Sequence, residues 1–186
     1  MVRIILASGS PRRRQLMEQA GFEFEVVESC VDENIDGECH VRVETLARRK
    51  AQAVQEKAGE GAIIIAADTL VSIDGQVLEK PRDEKEAFKM LKMLEGRKHT
   101  VFTGVAIVKQ NNLTSFVEAA DVYFRPLSDC EINAYIATGE PMDKAGAYGI
   151  QGRGASLVRR VEGCFYAVMG LPMARLCMEL SVLTTP

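Results

Sequence analysis

A mixed-sheet α/β fold is what this sequence predicts, on three observations. Apolar β-branched runs alternate with segments of helical apolar spacing, two hairpin signals interrupt that alternation, and the first apolar run opens onto a Ser-Gly-Ser turn and a helix. Strand-helix alternation builds a parallel sheet and hairpins add antiparallel neighbours, so a twisted mixed sheet flanked by helices is expected. With 186 residues, 47% of them hydrophobic, the chain is long enough to bury about two-thirds to three-quarters of its unfolded surface. A single domain over residues 1–186, two-lobed in outline, follows.

Val2 to Ala7 is a β-branched run stopped by glycine and proline, a buried first strand. Ser10 is placed to cap the next helix, Pro11 suits its first position, Leu16, Met17 and Ala20 give a buried stripe, and Gly21 ends it. Phe22 to Val27 alternates as a second strand, and Val41 to Ala58 carries Val43, Leu46, Ala47, Ala51 and Val54 at helical spacing. Ala62 to Ala67 is a wholly apolar strand. Its continuation Thr69 to Ile73 meets Asp74-Gly75, a two-residue hairpin signal, and returns through Val77.

Asp83 to Leu94 reads as a helix stopped at Gly96. Thr100 to Val108 and Phe116 to Phe124 are long strands joined through Gln110-Asn111-Asn112 as a second hairpin. Ser128 and Glu131 form a capping box for a helix through Ala137. A glycine-dense stretch from Gly139 to Gly154 precedes a strand at Leu157 to Val161 and a last helix from Pro172 to about Leu183.

Bulk charge narrows the function. A net charge of -3 argues against a general nucleic-acid binder, so any phosphate recognition must be local. Cys30, Cys39, Cys130, Cys164 and Cys177 are odd in number, widely spaced and without a Cys-x-x-Cys pair. They suggest neither a disulfide framework nor a zinc site, and a reducing cytoplasm is expected. No uncharged run approaches the ~20 residues that span a bilayer, and Met1 to Ala7 is too short for a signal segment.

The chemistry begins at the first helix. Arg12, Arg13 and Arg14 occupy its first turn, where the positive end of the macrodipole disfavours each cation by roughly 0.3 to 1 kcal/mol. Free amides at a helix start, the Ser8-Gly9-Ser10 turn and adjacent guanidiniums describe an anion site, most naturally for a polyphosphate, set against a plain solvated basic face. No Gly-Lys-Ser/Thr follows and no Gly-x-Gly-x-x-Gly is present, which weakens kinase and dehydrogenase readings.

Lys50 lies on the apolar stripe of its helix, four residues after Leu46 and three after Ala47. It either snorkels to the rim or reaches a phosphate. Asp68 follows a buried strand directly, the usual place for a ligand-binding carboxylate in an α/β sheet, and Glu33 offers a second carboxylate in a loop. Two hard oxygen ligands suit magnesium or manganese. Such a metal would bridge phosphates and position hydroxide, with Arg13, Lys50 and Lys80 offsetting charge on leaving pyrophosphate.

Rival nucleophile chemistries are poorly supplied: His40 and His99 are the only histidines and no Gly-x-Ser-x-Gly elbow exists. The stretch Asp143-Lys-Ala-Gly-Ala-Tyr-Gly-Ile-Gln-Gly152 resembles a pocket wall, in which Gln151 can pair a donor and an acceptor with a base edge and Tyr148 can stack or pack. The alternative is a glycine-rich loop with no chemistry.

In order, Leu6-Ala-Ser-Gly-Ser-Pro-Arg-Arg13, Asp32-Glu33, Leu46-Ala-Arg-Arg-Lys-Ala51, Ala67-Asp-Thr69, Glu79-Lys-Pro81, Thr100-Val-Phe-Thr-Gly-Val105, Tyr135-Ile136, Asp143 to Gly152 and Gly170-Leu-Pro172 resemble the Maf family. The resemblance runs from Ile4 to about Leu180. It implies a fold close to the inosine triphosphate pyrophosphatase-like enzymes, with a central cleft, and hydrolysis of a nucleoside triphosphate between its α and β phosphates. It also implies a divalent metal (Mg, Mn or Co), Asp68 as general base or partner of metal-bound water, a homodimer, and a link to arrest of septum formation.

The Asp143 to Gly152 segment is similar to the branch acting on dTTP and UTP, rather than the branch for 7-methylated GTP. Arg12, Thr69 and Gln151 match the positions implied to set that choice, and Ser8 lies in the phosphate turn. A nucleotide-binding regulator of division that needs no hydrolysis is the alternative. Cys164, after Gly163, departs from the family pattern, where a polar residue is more usual.

Overall fold

The computed structural model describes residues 2–59, 61–110 and 112–184. Its elements are β1 (Arg3–Leu6), α1 (Pro11–Gln19), β2 (Glu25–Val26), α2 (Cys39–Ala58), β3 (Ala62–Ile73), β4 (Gln76–Leu78), α3 (Glu84–Leu94), β5 (Lys98–Lys109), β6 (Asn112–Phe124), α4 (Asp129–Ile136), β7 (Val158–Gly163), α5 (Phe165–Met169) and α6 (Met173–Thr184). Three 3-10 turns, Glu140–Asp143, Ala145–Ala147 and Gly152–Leu157, lie between α4 and β7. The strands form a seven-stranded sheet in the order β2-β1-β3-β5-β6-β7, with β4 on β3. Both β2 and β3 run parallel to β1, whereas β4 is antiparallel to β3 and β7 to β6, so the sheet is mixed as expected.

The chain divides into two compact units. The first comprises Met1–Asp68, Thr103–Glu118 and Gly170–Pro186. Its core joins Ile5 and Ala7 of β1 and its continuation, Ile64 and Ala66 of β3, and Ala106 and Val108 of β5 to Ala47, Ala51 and Val54 of α2. Strand side chains alternate between faces, so Ile64 and Ala66 put the next even position, Asp68, on the face that α2 covers.

Gly104 lets α2 lie close to that face. A Cβ on Gly104 would stand 2.4 Å from the Val43 carbonyl oxygen and 2.7 Å from the Glu44 nitrogen, both backbone atoms of α2. Space rather than an unusual φ makes glycine necessary there.

The second unit comprises Thr69–Phe102 and Ala119–Met169. Ala87, Met90, Leu91 and Leu94 of α3 pack with Ile132, Tyr135 and Ile136 of α4 over Val71, Ile73, Val101, Val122 and Phe124. Asp83 caps α3, accepting from the Glu86 amide at 2.7 Å, and Ser128 and Glu131 form the predicted capping box on α4. Asp74 (φ 51°) and Gly75 (φ 78°) both take positive φ, as a two-residue hairpin requires. In the second predicted hairpin, Asn111 lies outside the described residues.

Three local expectations change, and one helix has no counterpart among them. Ser10 makes no side-chain cap; its amide instead donates to the Ser8 hydroxyl at 3.3 Å. The second strand contracts to Glu25–Val26, because β1 offers it only Ile5 and Leu6 as partners. Asp68 lies within one twelve-residue strand, not at a strand exit, although β1 pairs with β3 only as far as Ile65. Helix α5 was invisible because its five residues expose Phe165 and Tyr166 and so leave no apolar stripe to read.

His99 is 2% exposed and sits between Phe124 and Tyr148, with Nε2 2.7 Å from the Tyr148 hydroxyl and Nδ1 buried without a partner. Tyr148 therefore packs in the core. Burial pushes the imidazole down from 6.5 to about 4, opposed by Asp121. Between those values the unfolded chain binds the proton and the folded chain does not, so stability falls as pH falls. We expect His99 to remove about 3 kcal/mol between pH 6.5 and pH 4. Urea unfolding of wild type and His99→Gln across that range checks it: equal pH slopes would refute the assignment. No described helix is long and apolar enough to cross a membrane.

Candidate active site

Two carboxylates of the first unit meet at Lys50. Helical period places Lys50 on the buried stripe of α2 with Leu46, Ala47 and Ala51. The ammonium there is met by two carboxylates, Glu33 Oε1 at 2.6 Å and Asp68 Oδ1 at 2.8 Å. Lys50 and Asp68 are each only 8% exposed. An unpaired charge at that depth would be strongly destabilising, so the pair is a mutual requirement of burial. Lys50 thus does more than snorkel: it holds a buried carboxylate and a surface one on a single cation.

Arg13 is fixed beside them. Its Nη1 donates to the Ser8 hydroxyl at 2.9 Å and its Nε to the Gly170 carbonyl at 2.8 Å. Burial pulls the guanidinium below its ordinary value, Asp68 and Glu33 oppose that shift, and Arg12 adds to it. Asp68 and Glu33 are thus near enough to act on the Arg13 charge, as is Arg12. No sequence signal points to the Gly170 carbonyl as a partner of Arg13; Gly170 takes a φ of 105°, a conformation that favours glycine.

The donor set suits a hard divalent cation. Glu33 and Asp68 direct carboxylate oxygens at one positive centre, and magnesium is typically held by one or two carboxylates with water and phosphate completing its shell. Among the described residues no group of three or more His, Cys, Asp and Glu gathers.

The remaining candidates belong to the second unit. Thr69 follows Asp68 on β3 and is partly buried, and Lys80 is exposed just after β4. Gln151 is partly buried between the glycines at 149 and 152. Its loop is folded around Glu140, a residue without a sequence signal of its own. That carboxylate accepts from the Tyr135 hydroxyl (3.0 Å) and from the amides of Arg153 (3.0 Å) and Gly154 (3.1 Å).

The sequence model of the Maf-like protein family matches residues 3–183. A dTTP/UTP pyrophosphatase of Carboxydothermus hydrogenoformans is 50% identical over 182 residues, covering 96% of this chain and 97% of that one. One from Halalkalibacterium halodurans is 50% identical over 181 residues, covering 96% and 95%. Among solved structures, the Staphylococcus aureus Ham1 protein aligns with a TM-score of 0.49 at 14% identity, covering 84% of this chain and 79% of that one.

Proposed function

This chain belongs to the Maf-like protein family, and from that premise we propose that it hydrolyses dTTP and UTP to the monophosphate and pyrophosphate. The observation that carries the reading is the pairing of Lys50 with both buried Asp68 and Glu33, together with the anchored Arg13. A carboxylate alone suits many chemistries. A carboxylate pair with a lysine and a fixed guanidinium suits water attack on a polyphosphate, because the same site takes a proton and receives developing negative charge.

In this reading Asp68 accepts the proton of the attacking water, held in place by Lys50. Arg13, whose fork is set by Ser8 and the Gly170 carbonyl, works with Lys50 and Lys80 to offset charge on the departing pyrophosphate. Glu33 and Asp68 would hold a divalent cation, whether magnesium, manganese or cobalt, and its chemistry there would be to polarise the phosphate oxygens. Arg12, Thr69 and Gln151 discriminate the base, since a pocket group left unpaired by the wrong base costs affinity. A homodimer and a cytoplasmic location belong to the same proposal.

Pyrophosphate release is the test, measured on canonical and modified pyrimidine triphosphates beside ATP, GTP and 7-methylated GTP. Turnover of dTTP and UTP at least about tenfold above the purine triphosphates is expected. No turnover of either with magnesium, manganese and cobalt each supplied would end the reading.

A further inference from the structure

The Glu140 carboxylate lies at the centre of the loop that carries Gln151. Besides the three donors it accepts, Tyr135 Oη accepts from the Gly149 amide at 3.1 Å, and Lys144 Nζ donates to the Glu140 carbonyl at 2.6 Å. The bonds therefore tie residues 149, 153 and 154, on both sides of Gln151, to one side chain and its tyrosine.

The glycines around it leave no slack. A Cβ at Gly152, where φ is 65°, would stand 2.8 Å from Glu140 Oε2, and one at Gly154 would stand 2.2 Å from the Gly149 carbonyl oxygen and 2.7 Å from the Tyr135 hydroxyl. The loop is thus wrapped on the carboxylate at a distance only hydrogen allows. Burial pushes the Glu140 carboxyl up, but the two amides, the Tyr135 hydroxyl and Lys144 more than reverse this, so the anion is the form the loop is built around.

We infer that Glu140 is the positioning residue for base selection: its carboxylate holds the Gly149–Gly154 turn in the one conformation that presents Gln151 to the pyrimidine edge. The inference rests on the proposed pyrimidine triphosphatase activity and adds to it a residue that touches neither base nor phosphate. Backbone amides bound to a fixed anion have little freedom to shift, and a discriminating hydrogen bond tolerates only small misplacement. Without the carboxylate, two amides and a buried hydroxyl lose their acceptor and the turn has no reason to keep its shape.

The experiment compares kcat and KM for UTP and CTP in wild type, Glu140→Ala, Glu140→Gln, Gln151→Ala and the Glu140→Ala/Gln151→Ala double variant. In Glu140→Ala, KM for UTP is expected to rise about tenfold or more and the preference for UTP over CTP to fall toward that of Gln151→Ala, with kcat changed far less. Glu140→Gln keeps an acceptor oxygen for part of the donor set and restores much of the preference. The double variant loses no more preference than Gln151→Ala alone, because one residue acts through the other.

Equal loss of kcat/KM on both triphosphates with the preference intact would reduce Glu140 to a structural role and overturn the inference. So would additive effects in the double variant. Should Glu140→Ala not fold, Tyr135→Phe decides, since it removes one donor from Glu140 and the acceptor of the Gly149 amide: an undiminished UTP preference overturns the inference. A wild-type chain without any base preference sinks the functional reading, and the inference with it; a discriminating wild type with an equally discriminating Glu140→Ala sinks the inference alone.

Discussion

Asp68→Asn should lower kcat for pyrophosphate release from UTP by roughly 10²- to 10⁴-fold, the usual contribution of a positioned general base. The substitution is nearly isosteric. The amide oxygen still accepts from Lys50, and Glu33 continues to pair the ammonium from its more exposed side. What is lost is the ability to take a proton and one negative charge at the site. KM should therefore move much less than kcat, and circular dichroism should report an intact fold. Steady-state kinetics against wild type check this, and a fully active Asp68→Asn protein would remove Asp68 from the chemistry. The same variant addresses division: a cellular effect that survives Asp68→Asn would belong to nucleotide binding rather than to turnover.

Gly104→Ala carries the second large effect, on stability. The added methyl meets the Val43 carbonyl carbon at 2.5 Å and its oxygen at 2.4 Å. Backbone atoms of a helix cannot turn aside as a flexible side chain would, so α2 must shift away from β5. Overpacking of this kind costs about 1–3 kcal/mol, and a backbone clash belongs at or above the upper end. Since Lys50 rides on α2, the shift also loosens its bond to Asp68, and the folded fraction should lose activity. Gly21→Ala is the control: open space surrounds that site and only its φ of 76° is at stake, so it should cost about 1 kcal/mol. Urea unfolding of the two variants separates space from conformation, and a Gly104→Ala protein as stable as wild type would disprove the close contact.

Much of this was readable before any coordinates. The Asp74-Gly75 hairpin, the Ser128/Glu131 capping box and the apolar stripe of α2 are set by residues within a turn or two of one another. Their geometry follows from local backbone chemistry. The arginines at the start of α1 stand out in the sequence for a different reason, because cations at the positive end of a helix are disfavoured without a partner. Glu140 had no comparable sign: an acidic residue before a proline suggests a solvated turn, and nothing local reveals that amides thirteen and fourteen positions later close on it.

Periodicity put Lys50 on a buried helix face, and an apolar run put Asp68 at the exit of a buried strand, which the structure instead extends through it. Neither signal established partners. That Lys50 bridges Asp68 and Glu33, and that Arg13 reaches a carbonyl 157 residues away, depends on the parallel crossover that lays α2 over β3 and returns the chain at Gly170. Period reports the face a residue occupies, a property of its own helix or strand. Which charge meets it there is a property of the packing between elements, and at Gly104 that packing turns on the width of a single methyl group.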